Sequence, residues 1–248
     1  MAARALYTVG FWIRETGQAL DRAGCRLQGN YVFREELSRH KTLFNLFDKK
    51  PVVAEDAFVA PSASLVGDVQ VGPKSSIWYG CVLRGDASGI RVGSETNIQD
   101  HSLVSVGGSR FGGGHAPAVI GNRVTIGHSA VIHACTVEDE AFVGMGATLM
   151  DGVVVEKGAF VAAGSLVTEN TRIPAGQIWA GNPAKFLREL KGDETSFIPK
   201  STDNYSELAA AHAEANVKSF QALTTAPEVK TEEPTPELSP NANPVSPS

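Results

Sequence analysis

Val137-Glu-Asp-Glu-Ala-Phe-Val143-Gly-Met-Gly-Ala-Thr-Leu149-Met-Asp-Gly-Val-Val-Val155-Glu-Lys-Gly-Ala-Phe-Val161 is a stretch in which one aliphatic residue returns at every sixth position. A period of six matches neither a helical stripe nor a long alternating strand, and it is the signature of a parallel β-helix built from hexapeptide repeats. In such a solenoid each short strand turns one aliphatic side chain into a narrow prism. Small or polar residues form the corners, and stacked coils bury together what no single coil could close. Outward from the quoted stretch, the beat runs on through Val167 to Ile173. In the other direction it runs back through Ile132, Ile126 and Ile120, past a glycine-rich break to Val104, Ile98 and Val92, and after a slip to Leu83, Ile77, Val71, Leu65 and Val59. The break, Gly107 to Pro117, contains Gly107, Gly108, Gly112, Gly113 and Gly114 and is expected to form an external loop. His115 falls in that loop, where no role is expected; a metal or proton-relay role is the alternative.

The composition, 42% hydrophobic and 20% charged over 248 residues, is that of a soluble globular protein, and no apolar run is long enough to span a membrane. Cys25, Cys81 and Cys135 are too few and too scattered for a disulfide frame, which leaves them as small buried hydrophobes in a reducing space. The net charge of −5 is unevenly spread: residues 1–41 carry seven Lys or Arg against four acids, a net of +3, which leaves −8 for the remainder. That balance argues against nucleic acid as a partner of the solenoid and sets the N-terminus apart as a separate functional piece.

Four regions follow. Residues 1–50 form a basic, amphipathic extension in which Leu6, Val9, Ile13 and Leu20 recur at helical spacing among Phe11, Trp12, Arg4, Arg14 and Arg22. Such a helix over residues 1–29 suits an anionic membrane surface or a partner groove; a cleavable presequence and a helix packed on its own domain are the alternatives. Residues 51–176 form the β-helix. Residues 177–221 are expected to be helical: one helix capped by Asn182-Pro183 and ended by Gly192, then a second from about Asn204 to Phe220, capped by Asp203 and carrying His212 as a packing or surface residue. The Pro-, Glu-, Thr- and Ser-rich residues 222–248 cannot supply a core and are expected to be disordered.

Within the repeat, His128 and His133 are candidate zinc ligands, imidazole being the commonest. Five extended residues span up to about 16–18 Å, so the two would not hold one metal within one chain. As ligands they would serve different sites, as a symmetric assembly with metals at its subunit boundaries requires. Arg84-Gly85-Asp86 and Asn97-Ile98-Gln99-Asp100-His101 form a second constellation that stacking brings side by side. It could be an ion-pair ladder, or a holder for a small anion and the water attacking it.

The hexads together with Arg84-Gly85-Asp86, Asn97-Ile98-Gln99-Asp100, Ile126-Gly127-His128-Ser129-Ala130 with His133, Gly144-Met145-Gly146-Ala147 and Gly181-Asn182-Pro183-Ala184-Lys185 resemble the γ-class carbonic anhydrases. The segments Gly10 to Leu20 and Phe33 to Asn45 resemble, more narrowly, the γ-carbonic-anhydrase subunits of mitochondrial complex I in plants and green algae. The resemblance implies a left-handed β-helix that forms trimers with zinc between neighbours, each site taking two ligands from one subunit and a third from the next. His133 matches a ligand of the first kind and His128 the one donated across the interface. The remaining ligand position, five beyond Asp100, is Ser105. His101, four residues earlier, is not expected to substitute, and Ala87 stands where active members carry a glutamate.

The implied function is an accessory structural subunit of complex I, peripheral on the matrix side of the mitochondrial inner membrane, in a heterotrimer with homologous subunits beside the membrane arm. Zinc would be shared at one interface and absent from the isolated chain, with Arg84, Asp86, Gln99 and Asp100 as interface or relic-site groups. The alternatives are an active zinc carbonic anhydrase, in which the same four residues support CO2 hydration, and a hexapeptide acyltransferase.

Overall fold

The computed structural model describes residues 2–27, 40–107 and 116–217. Residues 43–181 wind into about seven parallel coils, each contributing one short strand to each of three faces. The first face carries Leu103–Ser105, Val131–His133, Thr148–Leu149 and Leu166–Val167, and the second carries Ala118–Ile120, Thr136–Val137, Val154–Val155 and Arg172–Ile173. The third carries Ser76–Ile77, Asn97–Ile98, Thr125–Ile126, Phe142–Val143 and Phe160–Val161. Two long strands, Ser64–Val71 and Val82–Val92, bend across from the first face to the second.

The six-residue beat is the core. Leu65, Leu83, Val104, Ile132, Leu149 and Val167 stand in register on successive coils of the first face, each fully buried. Each such side chain contributes about 1.5–3 kcal/mol of burial, and the ladder continues unbroken because every coil presents the same shape to the next. Val59 at the open end is only partly buried. The corners turn through left-handed backbone at Gly80, His101, Ser129, Gly146 and Gly164, linked coil to coil by backbone hydrogen bonds of 2.8–2.9 Å from His101, Ser129, Gly146 and Gly164.

The C-terminal region departs from expectation. No helix begins at Asn182: the cis Asn182–Pro183 bond makes the turn of an antiparallel hairpin, Gln177–Gly181 with Ala184–Glu189. Asn-Pro suits a turn as well as a helix start, and here Ile178 already pairs with Phe160 as a continuation of the third face, so the chain stays extended. Gly192 opens a helix instead of ending one. A single helix, α2, runs Gly192–Val217, with Pro199 inside it. The Glu194 carboxylate accepts the Lys191 amide at 2.9 Å and both terminal nitrogens of Arg188 at 2.6 and 2.7 Å, which ties the helix start to the hairpin. Asp203 is no cap; it pairs with Arg123 at 2.9 Å from within the helix.

Helix α2 lies along the third face. It covers Phe142 and Phe160, stacked at 4.5 Å with Phe197 at 5.9 Å, and a polar ladder in which Asn97 Nδ2 donates to Thr125 Oγ1 at 3.0 Å beneath Ser201. The expected N-terminal helix is present as α1, Ala2–Leu27, with Trp12, Ile13 and Leu20 exposed. No described helix is long and apolar enough to cross a membrane. The glycine-rich residues 108–115, with His115, and the expected tail 222–248 lie outside the described residues.

Candidate functional site

The candidate residues gather at two separate edges of the prism. At the corner between the third and first faces, Tyr79, Asp100 and His128 belong to successive coils. Asp100 Oδ1 accepts the Tyr79 amide at 3.0 Å, and its Oδ2 lies 3.1 Å from His128 Nδ1. The Tyr205 hydroxyl, brought in by α2, lies 3.4 Å from His128 Nε2. Burial, and secondarily the Asp100 charge, push the Tyr205 hydroxyl above its ordinary value, so it stays protonated. Gln99 is buried beside this edge, its amide nitrogen donating to Asn97 Oδ1 at 3.1 Å.

At the far end of the first face, Arg84, Ser105 and His133 stand in register on three successive coils. Ser105 is 2% exposed. His133 bonds through Nδ1 to Asp151 on the next coil. Arg84 Nε lies 3.2 Å from Asp86 Oδ2, the other Asp86 oxygen accepts the Ala87 amide at 2.8 Å, and Lys49 Nζ donates to the Asp86 carbonyl at 3.0 Å.

The structure therefore splits the histidine pair. His128 sits with Asp100, and His133 with Asp151, Ser105 and Arg84. His101 turns the corner with φ 59°, and its ring lies so close over Gly80 that a Cβ there would meet its Nδ1 at 2.5 Å. It is on the edge opposite Ser105 and outside that register. His212 packs against Trp78 at 5.0 Å, and its Nδ1 lies 2.9 Å from the Tyr79 hydroxyl. Cys81 and Cys135 are buried, their thiols pushed up to about 12 by desolvation, which suits neither for ligation or nucleophilic attack at neutral pH.

Sequence reasoning missed Tyr205, Lys49 and Asp151. Asp151 had a signal: it stands 18 residues after His133, one full coil, so stacking alone places a carboxylate beside that imidazole. Tyr205 and Lys49 come from segments without the repeat, and no spacing rule reports where they land.

The donor chemistry of each histidine fits zinc. Each Nδ1 is tied to a carboxylate, the arrangement common around zinc-ligating imidazoles, although the Nε2 of His128 already faces the Tyr205 hydroxyl. The set as a whole does not fit: a catalytic zinc keeps three protein ligands and an open position, and the residue in register beside His133 on the neighbouring coil is a serine, not one of the usual zinc ligands. Among the described residues no three His, Cys, Asp or Glu side chains converge within the chain.

A prism of hexapeptide coils with histidines at two edges places the chain among the hexapeptide-repeat proteins, and residues 117–150 and 134–169 match the family described as hexapeptide repeat of succinyl-transferase. Gamma carbonic anhydrase 1, mitochondrial, of Arabidopsis thaliana is 65% identical over 220 residues, 89% of this chain and 80% of that protein. A probable carbonic anhydrase of Methanocaldococcus jannaschii is 37% identical over 64% of this chain and 96% of its own length. A crystal structure of a hexapeptide transferase family protein from Anaplasma phagocytophilum superimposes with a TM-score of 0.64 at 45% identity, covering 68% of this chain and 97% of that one. The chain belongs to the gamma carbonic anhydrase family.

Proposed function

We propose that this chain is an accessory subunit of mitochondrial complex I, one member of a trimer of γ-carbonic-anhydrase subunits held on the matrix side of the membrane arm. In that trimer it lends His128 to a neighbour and completes no zinc site with copies of itself. The observation that carries the reading is Ser105, in register with His133 and Arg84 where the third imidazole would stand. The two-edge layout supports it, because a donating edge and a receiving edge on one chain meet only across a subunit boundary. A neighbour with histidine at its own equivalent of Ser105 would take His128 into a complete set; this chain's receiving edge would remain short by one. The mitochondrial setting draws on the Arabidopsis relatives, whose names carry the word and whose match extends over 220 residues, beyond the coils. Attachment falls to α1, whose exposed Trp12, Ile13 and Leu20 need a surface to cover them.

A second reading, autonomous CO2 hydration, is favoured by the retention of Arg84, Asp86, Gln99 and Asp100 and by the carboxylate on each imidazole. Metal analysis decides between the two. The purified full-length chain should carry no stoichiometric zinc and no CO2 hydration above background, and Ser105→His should gain zinc. A parent chain that is loaded with zinc and turns over CO2 at an enzymatic rate overturns the first reading.

A further inference from the structure

The strand Leu43–Phe44 lies on the open end of the prism, and the chain then doubles back through Leu46 to Lys49, whose amides each donate to the other's carbonyl at 2.9 and 3.0 Å. Phe47 leads the tip of that turn with φ 54°, a left-handed conformation that glycine adopts freely and a bulky side chain does not. Its ring is 91% exposed, so packing against the described chain does not offset the strain. Phe44 stands close by in sequence and is also exposed. A lone apolar residue on a surface needs no explanation, but a ring held out on strained backbone next to a second exposed ring does.

The turn has a fixed place. Phe44, Val66, Arg84, Ser105 and His133 stand in register on successive coils, so the turn continues the far edge of the first face beyond the last full coil. Lys49 Nζ donates to the Asp86 carbonyl at 3.0 Å and clamps it there. At the opposite corner of the same face, Thr42 Oγ1 donates to the Pro61 carbonyl at 3.1 Å, which places the exposed Lys41 and Pro61 at that corner. One corner thus offers a phenyl ring and the exposed Asp48 carboxylate, and the other offers a proline ring and an ammonium. Each complements the other and neither complements itself, as a head-to-tail ring requires and a two-fold pair does not. A closed ring has no rise along its axis, so prisms standing parallel to that axis meet coil for coil, and the turn of one copy reaches the Lys41 and Pro61 corner of the next.

We propose that the Phe47 turn is an interaction surface for a second copy of this chain, its ring seating against Pro61 and the Lys41 stem of the neighbour, with Asp48 facing the Lys41 ammonium. The contact rests on the trimer of the proposed function and requires no ion.

The test uses the full-length chain in two ways. Phe47→Gly removes the ring and relieves the backbone, so it should fold at least as well as the parent yet weaken self-association, measured by sedimentation velocity, at least about 10-fold. Leu187→Ser, exposed at the other end of the prism, should leave self-association unchanged. In a Cys25→Ser chain, Phe47→Cys combined with Lys41→Cys should be joined by a short bismaleimide into covalent dimers and trimers, and neither cysteine alone should be; within one chain the two positions stand at opposite ends of the first face. A parent that stays monomeric at micromolar concentration, a Phe47→Gly chain that associates as tightly as the parent, or a double-cysteine chain that forms no covalent oligomer overturns the proposal. So does a Phe47→Gly chain that loses binding to anionic phospholipid vesicles while associating normally, which makes the tip a membrane contact. Stoichiometric zinc in the parent would overturn the structural-subunit reading and leave this contact standing, and unaltered association in Phe47→Gly would do the reverse.

Discussion

Removing the Asp100 carboxylate should cost stability through two bonds that the structure identifies separately. Asp100 accepts the half-buried Tyr79 amide at 3.0 Å, and an amide left without a partner costs about 1–3 kcal/mol when buried, so about 1–2 kcal/mol here. Its second oxygen holds His128, but both side chains are about a third exposed, and a solvated pair of this kind is worth about 0.2–1 kcal/mol. Asp100→Ala should therefore lose about 2 kcal/mol in total. For a chain of this length about 2–4 °C accompanies each kcal/mol, which gives a Tm lower by about 4–8 °C. Asp100→Asn retains a carbonyl oxygen for the Tyr79 amide and gives up only the acceptor and charge facing His128, so its Tm should fall by less than half as much. The assay is thermal melting of the three chains side by side, followed by far-UV circular dichroism. An Ala variant that melts with the parent, or an Asn variant that falls as far as the Ala one, would refute the assignment of Asp100 as the brace of this corner.

Three further outcomes are expected. Ile132→Ala, at a fully buried position of the core ladder, should lower stability by about 2–5 kcal/mol and Ile132→Val by about 0.5–1.5 kcal/mol in urea titrations. In a Cys25→Ser chain, Cys81 and Cys135 should resist a thiol reagent at neutral pH and react promptly once the chain is unfolded, because burial holds both thiols near 12. Glu194 is held down to about 2, first by Arg188 and then by the Lys191 amide. A depressed carboxylate stabilises above its unfolded pKa and loses that contribution as pH falls toward about 2, so the Tm gap between the parent and Glu194→Gln should be open at neutral pH and close at the acid end.

The core was legible because the period is rigid. A residue six positions on meets the same wall of the prism, and Leu65 through Ile173 all fell where the beat placed them. The histidines were legible as types and as a pair too far apart to share one ion, and the structure puts them on different edges. The C-terminal region was not legible. Asn182-Pro183 and Gly192 are punctuation that serves a helix start, a turn or a helix opening equally well, and the decision came from Ile178 pairing with the coil below, a contact 18 residues away in sequence. Pro199 hid the length of α2: its missing amide argues against a helix interior, whereas its carbonyl accepts the Thr202 hydroxyl at 2.7 Å and the helix carries on. Lys49 and Tyr205 reach their edges from outside the repeat, so no periodicity could name them.

The coil geometry also explains how the site can change while the fold does not. Along Leu103–Ser105, Val104 points into the prism and carries the ladder, while Leu103 and Ser105 point away from it. Exchanging histidine and serine at position 105 therefore alters no inward contact and no backbone hydrogen bond, because Arg84 and His133 are aligned with it through the main chain. The edge that carries His128 is separated from that position by a whole face: His128, Asp100 and Tyr205 are braced by Tyr79 and α2. In the proposed function, the edge at Ser105 can thus change without altering the edge that carries His128. The test of that independence is direct: Ser105 is buried between Arg84 and His133, so Ser105→His must displace those side chains and should cost about 1–3 kcal/mol in the absence of metal, while the stability lost on Asp100→Ala should be the same in the Ser105→His chain as in the parent.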